Sequence, residues 1–175
     1  GGGRSGLLST MFLMNMVSKM KHNTEQGSRI ATVHNGSALF TGDAGGGESE
    51  IRRYIIENDL LEGIIALPND MFYNTGIPTY IFIFTNRKVK HRKGKVQLIN
   101  ATSERFYYKM RKPLGKKRVE FSAEHIPVIE KMFVEFKENE YSKIFDNSDF
   151  GYSQITVHRP EKDEKGKIIY ASKGK

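Results

Sequence analysis

The chain has 175 residues, 38% of them hydrophobic and 11% aromatic, enough to bury the core of one ordinary domain, so disorder throughout is excluded. It carries 28 Lys and Arg against 20 Asp and Glu, and the formal charge of +8 favours an anionic partner such as nucleic acid, with a merely solvated basic surface as the plainer alternative. The absence of cysteine excludes disulfides, thiolate zinc sites and a cysteine nucleophile; no apolar run reaches the ~18 residues that span a bilayer, so a cytoplasmic protein without membrane contact is expected.

The start, Gly1-Gly2-Gly3-Arg4, has no apolar segment behind it that would suit a signal peptide. From Leu7 to Met20, apolar residues recur at spacings of three and four, which predicts a core-facing helix. Arg29 to Val33, between Gly27 and Asn35-Gly36, reads as a buried strand, and Thr41 to Gly47 as a glycine-rich loop. Glu48 to Asn58 places Ile51, Tyr54 and Ile55 at helical spacing, with carboxylates in its first turn where the helix dipole favours them.

Gly63 to Leu67, ended by Pro68, and the run Thr79 to Thr85 predict two central strands apolar on both faces. The order helix, strand, helix, strand, strand implies an α/β fold with a mixed sheet covered by helices on both sides. Arg87 to Lys95 is dense in cations (Arg87, Lys88, Lys90, Arg92, Lys93 and Lys95) and reads as an exposed connection into a further strand, Val96 to Asn100. Arg105 to Arg118 is basic with Phe106, Tyr107 and Tyr108 interleaved; Ser122 then caps a helix with Ile126, Ile129, Phe133 and Phe136 inward. In the tail, Gln154 to His158 and Lys167 to Tyr170 offer a hairpin.

Three features could carry chemistry. The loop Thr41 to Gly47 precedes a helix, but it lacks the Lys and Ser or Thr of a P-loop, and Asp43, Glu48 and Glu50 would repel a phosphate; a plain loop, a DNA-facing loop and a cofactor-phosphate loop stay open. In Leu67 to Gly76, Phe72 or Tyr73 could stack on a base and Asn74 could hydrogen-bond one, unless the aromatics are core and Asn74 to Gly76 only a turn. The basic runs suit phosphate neutralisation and base stacking. The five histidines lack ligand spacing, so no metal is expected, and no Ser, His and Asp set suggests hydrolysis.

Several segments taken in order resemble a known family: Ser18-Lys19-Met20-Lys21, Asn35-Gly36-Ser37-Ala38-Leu39-Phe40-Thr41-Gly42-Asp43-Ala44-Gly45, Glu48 to Asp59, Ile64-Ile65-Ala66-Leu67-Pro68, Phe72-Tyr73-Asn74-Thr75-Gly76-Ile77 and Gly94 to Asn100. The pattern is similar to the modification subunit of type I restriction-modification systems. That resemblance implies a Rossmann-like domain that transfers a methyl group from S-adenosylmethionine to the exocyclic amino group of a flipped-out adenine in DNA, in a complex with specificity and restriction subunits. Residues 1–102 would be the carboxyl-side half of the methyltransferase domain and 103–175 a helical and hairpin extension.

On the same resemblance, Arg29 to Asn35, Gly63 to Leu67 and Thr79 to Thr85 correspond to the fifth, sixth and seventh strands, the last antiparallel. Asn74, Thr75, Gly76 and Phe84 become candidates for the target-base pocket, and Arg52, Arg53, Arg87, Lys88, Lys90, Arg92 and Lys93 for DNA contact. Two motifs of the family are missing, the glycine-rich cofactor loop and the Asn-Pro-Pro-Phe/Tyr tetrapeptide that clamps the amino group; no Pro-Pro pair occurs in the sequence. The chain alone is therefore expected to bind no S-adenosylmethionine and transfer no methyl group. The alternatives are a non-catalytic DNA-binding or accessory module, and a structural piece whose open sheet edge needs a missing half.

Overall fold

In the computed structural model, which describes residues 2–157, 160, 164, 166 and 167, the apolar pattern of the amino-terminal stretch closes into helix α1, Gly2–Ser18. Leu13, Val17 and, just past its end, Met20 are buried, whereas Met11 and Phe12 are exposed. Strand β1 (Arg29–Asn35) follows, then the single turn α2 (Ser37–Phe40) and helix α3 (Gly47–Glu57). Strands β2 (Leu61–Leu67), β3 (Thr79–Thr85) and β4 (Lys95–Asn100) come from the expected apolar runs. The chain continues through β5 (Tyr108–Leu114), β6 (Lys117–Glu120), α4 (His125–Glu135) and β7 (Ser142–Asp146).

Five strands form one sheet in the order β1-β3-β2-β4-β7. β3 runs antiparallel to both β1 and β2 and lies between them, so β1 and β2 share a direction; β4 is parallel to β2, and β7 is antiparallel to β4. The reversed strand is thus the one the family resemblance reverses. β2 and β3 are central and buried on both faces, which is why their sequences are nearly continuous apolar runs. Ile64, Phe82 and Phe84 pack with Leu13, Val17 and Ile55 on one side, and Ile65, Ile83 and Ile99 pack with Phe106 and Ile129 on the other. Helices therefore cover both faces of a mixed sheet, as expected.

At Gly63 a side chain is excluded by packing: a Cβ there would lie 2.9 Å from the Phe133 ring and 3.0 Å from the Gln97 carbonyl oxygen. The missing side chain lets α4 close down on the junction of β2 and β4.

Four expectations need correction. β1 is an edge strand with alternating exposure, Val33 among its exposed residues, because it pairs with β3 on one side only. Tyr54 and Ile126 are exposed, since the apolar stripes of α3 and α4 are narrow and centre on Ile55 and Ile129. The tail hairpin is not formed at Gln154 to Val157, and His158 and residues 168–170 lie outside the described residues. The hairpin in this part of the molecule is instead β5–β6, built from the basic, aromatic stretch.

Candidate nucleic-acid interface at the carboxyl end of the sheet

β1 and β2 end at Asn35 and Leu67, and both pair there with Thr79, the first residue of β3. In open α/β sheets, ligands bind in the crevice beyond the carboxyl ends of the strands. The segment from Pro68 to Pro78 forms that end. Phe72 and Thr75 make an isolated antiparallel bridge, which leaves Tyr73 and Asn74 exposed at the tip. The Thr75 hydroxyl accepts the Ile77 N–H at 3.3 Å. Gly76 lies against Asp70: a Cβ there would come 2.5 Å from Asp70 Oδ1, so the Asp70 side chain would have to turn aside for a larger residue.

The two aromatics split between the two readings of this segment. Phe72 packs against the core beneath α4, whereas Tyr73 is exposed, with the Lys117 Nζ 5.4 Å from its ring centre. Asn74, Thr75 and Gly76 lie together at the carboxyl end. Phe84 does not join them: it pairs with Ile30 and Leu61 at the other end of β3, is 1% exposed, and stacks on Phe82 inside the core. A base cannot reach it.

The second wall of the crevice is the β5–β6 hairpin. The Asp70 carbonyl, set in a left-handed conformation with φ 58, accepts the N–H groups of Arg118 at 2.8 Å and Val119 at 3.4 Å, and the Tyr73 carbonyl accepts Lys116 N–H at 2.9 Å. Between sheet end and hairpin lies an open cleft of about 670 Å³, with Ala66, Pro68, Asp70 and Tyr80 on one side and Tyr107, Lys109, Pro113 and Arg118 on the other. Sequence reading marked Arg105 to Arg118 as basic and aromatic but chose none of these residues. The available signal was Pro113-Leu114-Gly115-Lys116, a turn signature within a basic, aromatic segment.

The basic run Arg87 to Lys95 begins where β3 ends, at the opposite end of the sheet, about 20 Å along a seven-residue strand from the turn. Arg87, Lys90 and Lys93 are exposed, but Lys88 and Arg92 are 8% and 4% exposed, which corrects their assignment to DNA contact. Lys88 donates to Asp59 Oδ1 at 2.6 Å and to the Lys95 carbonyl at 2.7 Å. Arg92 lies between the Phe133 and Phe136 rings, with its guanidinium carbon 4.5 and 4.3 Å from their centres, and donates to the Phe133 carbonyl. Its Nε is 3.7 Å from the buried carboxylate of Glu62. These two cations are fixed by the fold and cannot turn to a phosphate.

Asp59 is the hub of the Lys88 group. Burial alone would raise its carboxyl, but hydrogen bonds from Lys88, the Gly94 N–H and Asn147, together with the Lys88 charge, outweigh burial and hold it below its ordinary value.

Arg52 and Arg53 belong to a third place, a cleft between α3 and residues 147–152. Arg53 is paired along its own helix with Glu50 at 3.0 Å and Glu57 at 3.7 Å, so much of its charge is compensated locally. The loop Thr41 to Gly47 lies beside the same cleft, and its Ala44 N–H is taken by Gln154 Oε1 at 3.3 Å. With that donor engaged and Asp43, Glu48 and Glu50 close in sequence, the loop does not fit a cofactor phosphate. No described helix is long and apolar enough to cross a membrane.

The family described as N-6 DNA Methylase matches residues 8–159. The type I restriction enzyme MjaVIII methylase subunit of Methanocaldococcus jannaschii is 38% identical over 122 residues, covering 70% of this chain and 20% of that protein. The EcoKI methylase subunit of Escherichia coli is 32% identical over 111 residues, covering 62% of this chain and 20% of that one. The chain thus spans about a fifth of the length of these relatives. Among solved structures, the type I restriction-modification system methyltransferase subunit from Streptococcus thermophilus superimposes with a TM-score of 0.66 at 21% identity, over 81% of this chain and 27% of that one, a likeness of fold. A family match running through nearly every element described above places the chain in the N-6 DNA methylase family.

Proposed function

We propose that the chain is the carboxyl-side part of a type I DNA adenine methyltransferase, which transfers a methyl group from S-adenosylmethionine to the exocyclic amino group of adenine. The observation that carries this reading is the family match across residues 8–159, on a sheet whose β3 is reversed between β1 and β2. Amine attack on a sulfonium needs positioning more than acid-base help. This chain's contribution is therefore steric and polar: the turn Asn74-Thr75-Gly76 borders the place where a flipped adenine enters at the carboxyl end of the sheet. The methyl donor and the clamp on the amino group belong to parts of the protein outside this chain, a reading supported by the lack of the family's glycine-rich cofactor loop and Asn-Pro-Pro-Phe/Tyr tetrapeptide in these 175 residues.

In this reading residues 1–102 belong to the methyltransferase half-domain and the rest to its extension, although β7 is hydrogen-bonded into the same sheet. Arg87, Lys90 and Lys93, with Arg52 and Arg53, meet DNA away from the target base. The protein works in the cytoplasm with DNA-specificity and restriction subunits, and the separate specificity subunit chooses the sequence.

The test is methyl transfer from labelled S-adenosylmethionine to duplex DNA, with the product base identified. The full-length protein with its specificity subunit should yield N6-methyladenine, and the 175-residue chain alone should yield none. Methylated cytosine, no transfer by the full assembly, or transfer by the short chain would each overturn the reading.

A further inference from the structure

We infer that the β5–β6 hairpin is a clamp for the phosphodiester backbone of duplex DNA at the carboxyl end of the sheet, an inference that rests on the methyltransferase reading for the identity of the polymer. The hairpin carries Lys109, Arg111, Lys112, Lys116, Lys117 and Arg118 with no acidic residue among residues 109–118. Lys109 pairs with Glu104 at 2.6 Å and Lys117 with Glu120 at 3.3 Å. Arg111, Lys112, Lys116 and Arg118 have no acidic partner among the described residues, and all four are exposed. Uncompensated cations on a short ribbon repel one another, a cost that a polyanion relieves.

Placement separates this element from an ordinary solvated surface. The hairpin is fixed to the target-side turn by the three backbone hydrogen bonds at Asp70 and Tyr73. Gly115 is pressed so closely that a Cβ would lie 2.7 Å from the Tyr73 carbonyl oxygen, and its φ of +62 suits glycine. Val119, 7% exposed, anchors the hairpin's inner face with the half-buried Lys117, and Arg111, Lys112, Lys116 and Arg118 are exposed. Arg118 lines the cleft itself, while Arg111, Lys112 and Lys116 extend the positive surface beyond it. A duplex whose adenine enters at the carboxyl end would run its backbone along this ribbon, and the rigid tie to the turn would set the distance between phosphate and base.

The test uses the full-length protein assembled with its specificity subunit, carrying Arg111→Gln, Lys112→Gln and Lys116→Gln together. Duplex affinity is measured against salt concentration, and KM is measured for DNA and for S-adenosylmethionine. Each lost phosphate contact should make the salt slope shallower by about 0.9, so the triple variant should lose roughly two to three units of slope, with KM for DNA raised about ten-fold or more and KM for the methyl donor unchanged. The charge-preserving variant Arg111→Lys, Lys112→Arg, Lys116→Arg should keep the wild-type slope.

An unchanged slope and KM for DNA in the glutamine variant overturns the clamp while leaving the methyltransferase reading standing. A loss of affinity equally large in the charge-preserving variant also overturns it, because the defect would then be structural. If the wild-type assembly methylates no adenine, the methyltransferase reading falls, but the salt slope still decides for or against the clamp.

Discussion

The two ends of the sheet are both rich in lysine and arginine, yet they spend that charge differently. At the amino ends of β1, β2 and β4, Lys88 and Arg92 are drawn inward and neutralised by Asp59 and Glu62, and the run that contains them serves partly as an internal brace. At the carboxyl end, Arg111, Lys112, Lys116 and Arg118 remain outside, and backbone hydrogen bonds together with the buried Val119 hold the hairpin in place. Charge density along a sequence therefore does not by itself identify a nucleic-acid surface. What matters is whether the fold supplies buried or half-buried counter-charges, and among the described residues Glu62 and Asp59 do so for Arg92 and Lys88.

The largest effect that would break this contrast is on stability. Glu62 is 2% exposed and faces the buried Arg92, while its second partner, Arg29, contributes from solvent at 3.1 Å. Glu62→Gln keeps the shape and removes the charge that compensates Arg92, and should cost about 3 kcal/mol in chemical denaturation of the chain. A loss under about 0.5 kcal/mol, the range of ordinary surface changes, would mean that Arg92 is not held by charge and that the two ends differ less than their burial suggests.

A smaller effect sharpens the contrast through pH. The Asp59 carboxyl sits below its ordinary value, so it stabilises the fold above the unfolded carboxylate value of about 3.9, and that contribution is lost as pH falls through its lower folded value. Asp59 also adopts φ 54, which asparagine tolerates, so Asp59→Asn isolates the charge from the backbone. The melting temperature of Asp59→Asn should lie below wild type at pH 7, and the gap should close as pH falls below about 4. A gap that persists unchanged into acid would assign the effect to lost hydrogen-bond geometry instead of charge.

The sequence made the central strands, the two main helices before them and the reversed direction of β3 legible, because residues buried on both faces must be apolar throughout and the segments resembling the family come in order. It could not show which cations of the 87–95 run turn inward. That depends on Glu62 and Asp59 lying beside the run in space, and on Phe133 and Phe136 stacking on Arg92 from about 40 residues further along. Phe84 was misplaced for a related reason: Ile81, Phe82, Ile83 and Phe84 of β3 look alike in sequence, and only the register with Ile30 and Leu61 shows that Phe84 lies inside the core at the end away from the turn. The hairpin was hidden because β5 is exposed along nearly its whole length, and the apolar-polar alternation of a half-buried strand stops after Tyr108 to Arg111, where Lys112 and Pro113 break it.

The smallest effect is at the exposed remainder of the 87–95 run. Arg87, Lys90 and Lys93 face solvent, but Arg87 already donates to the His22 carbonyl at 3.2 Å, and all three lie a full strand length from the turn Asn74-Thr75-Gly76 proposed to border the target base. DNA held along the hairpin would meet them only where the duplex continues past the site, at separations where salt screens most of the attraction. Arg87→Gln, Lys90→Gln and Lys93→Gln together should therefore reduce the salt slope of duplex binding by less than one unit, against two to three for the hairpin variant, although each variant removes three formal charges. Equal losses from both variants would mean that binding follows net charge alone, and that the carboxyl end of the sheet has no privileged hold on the DNA.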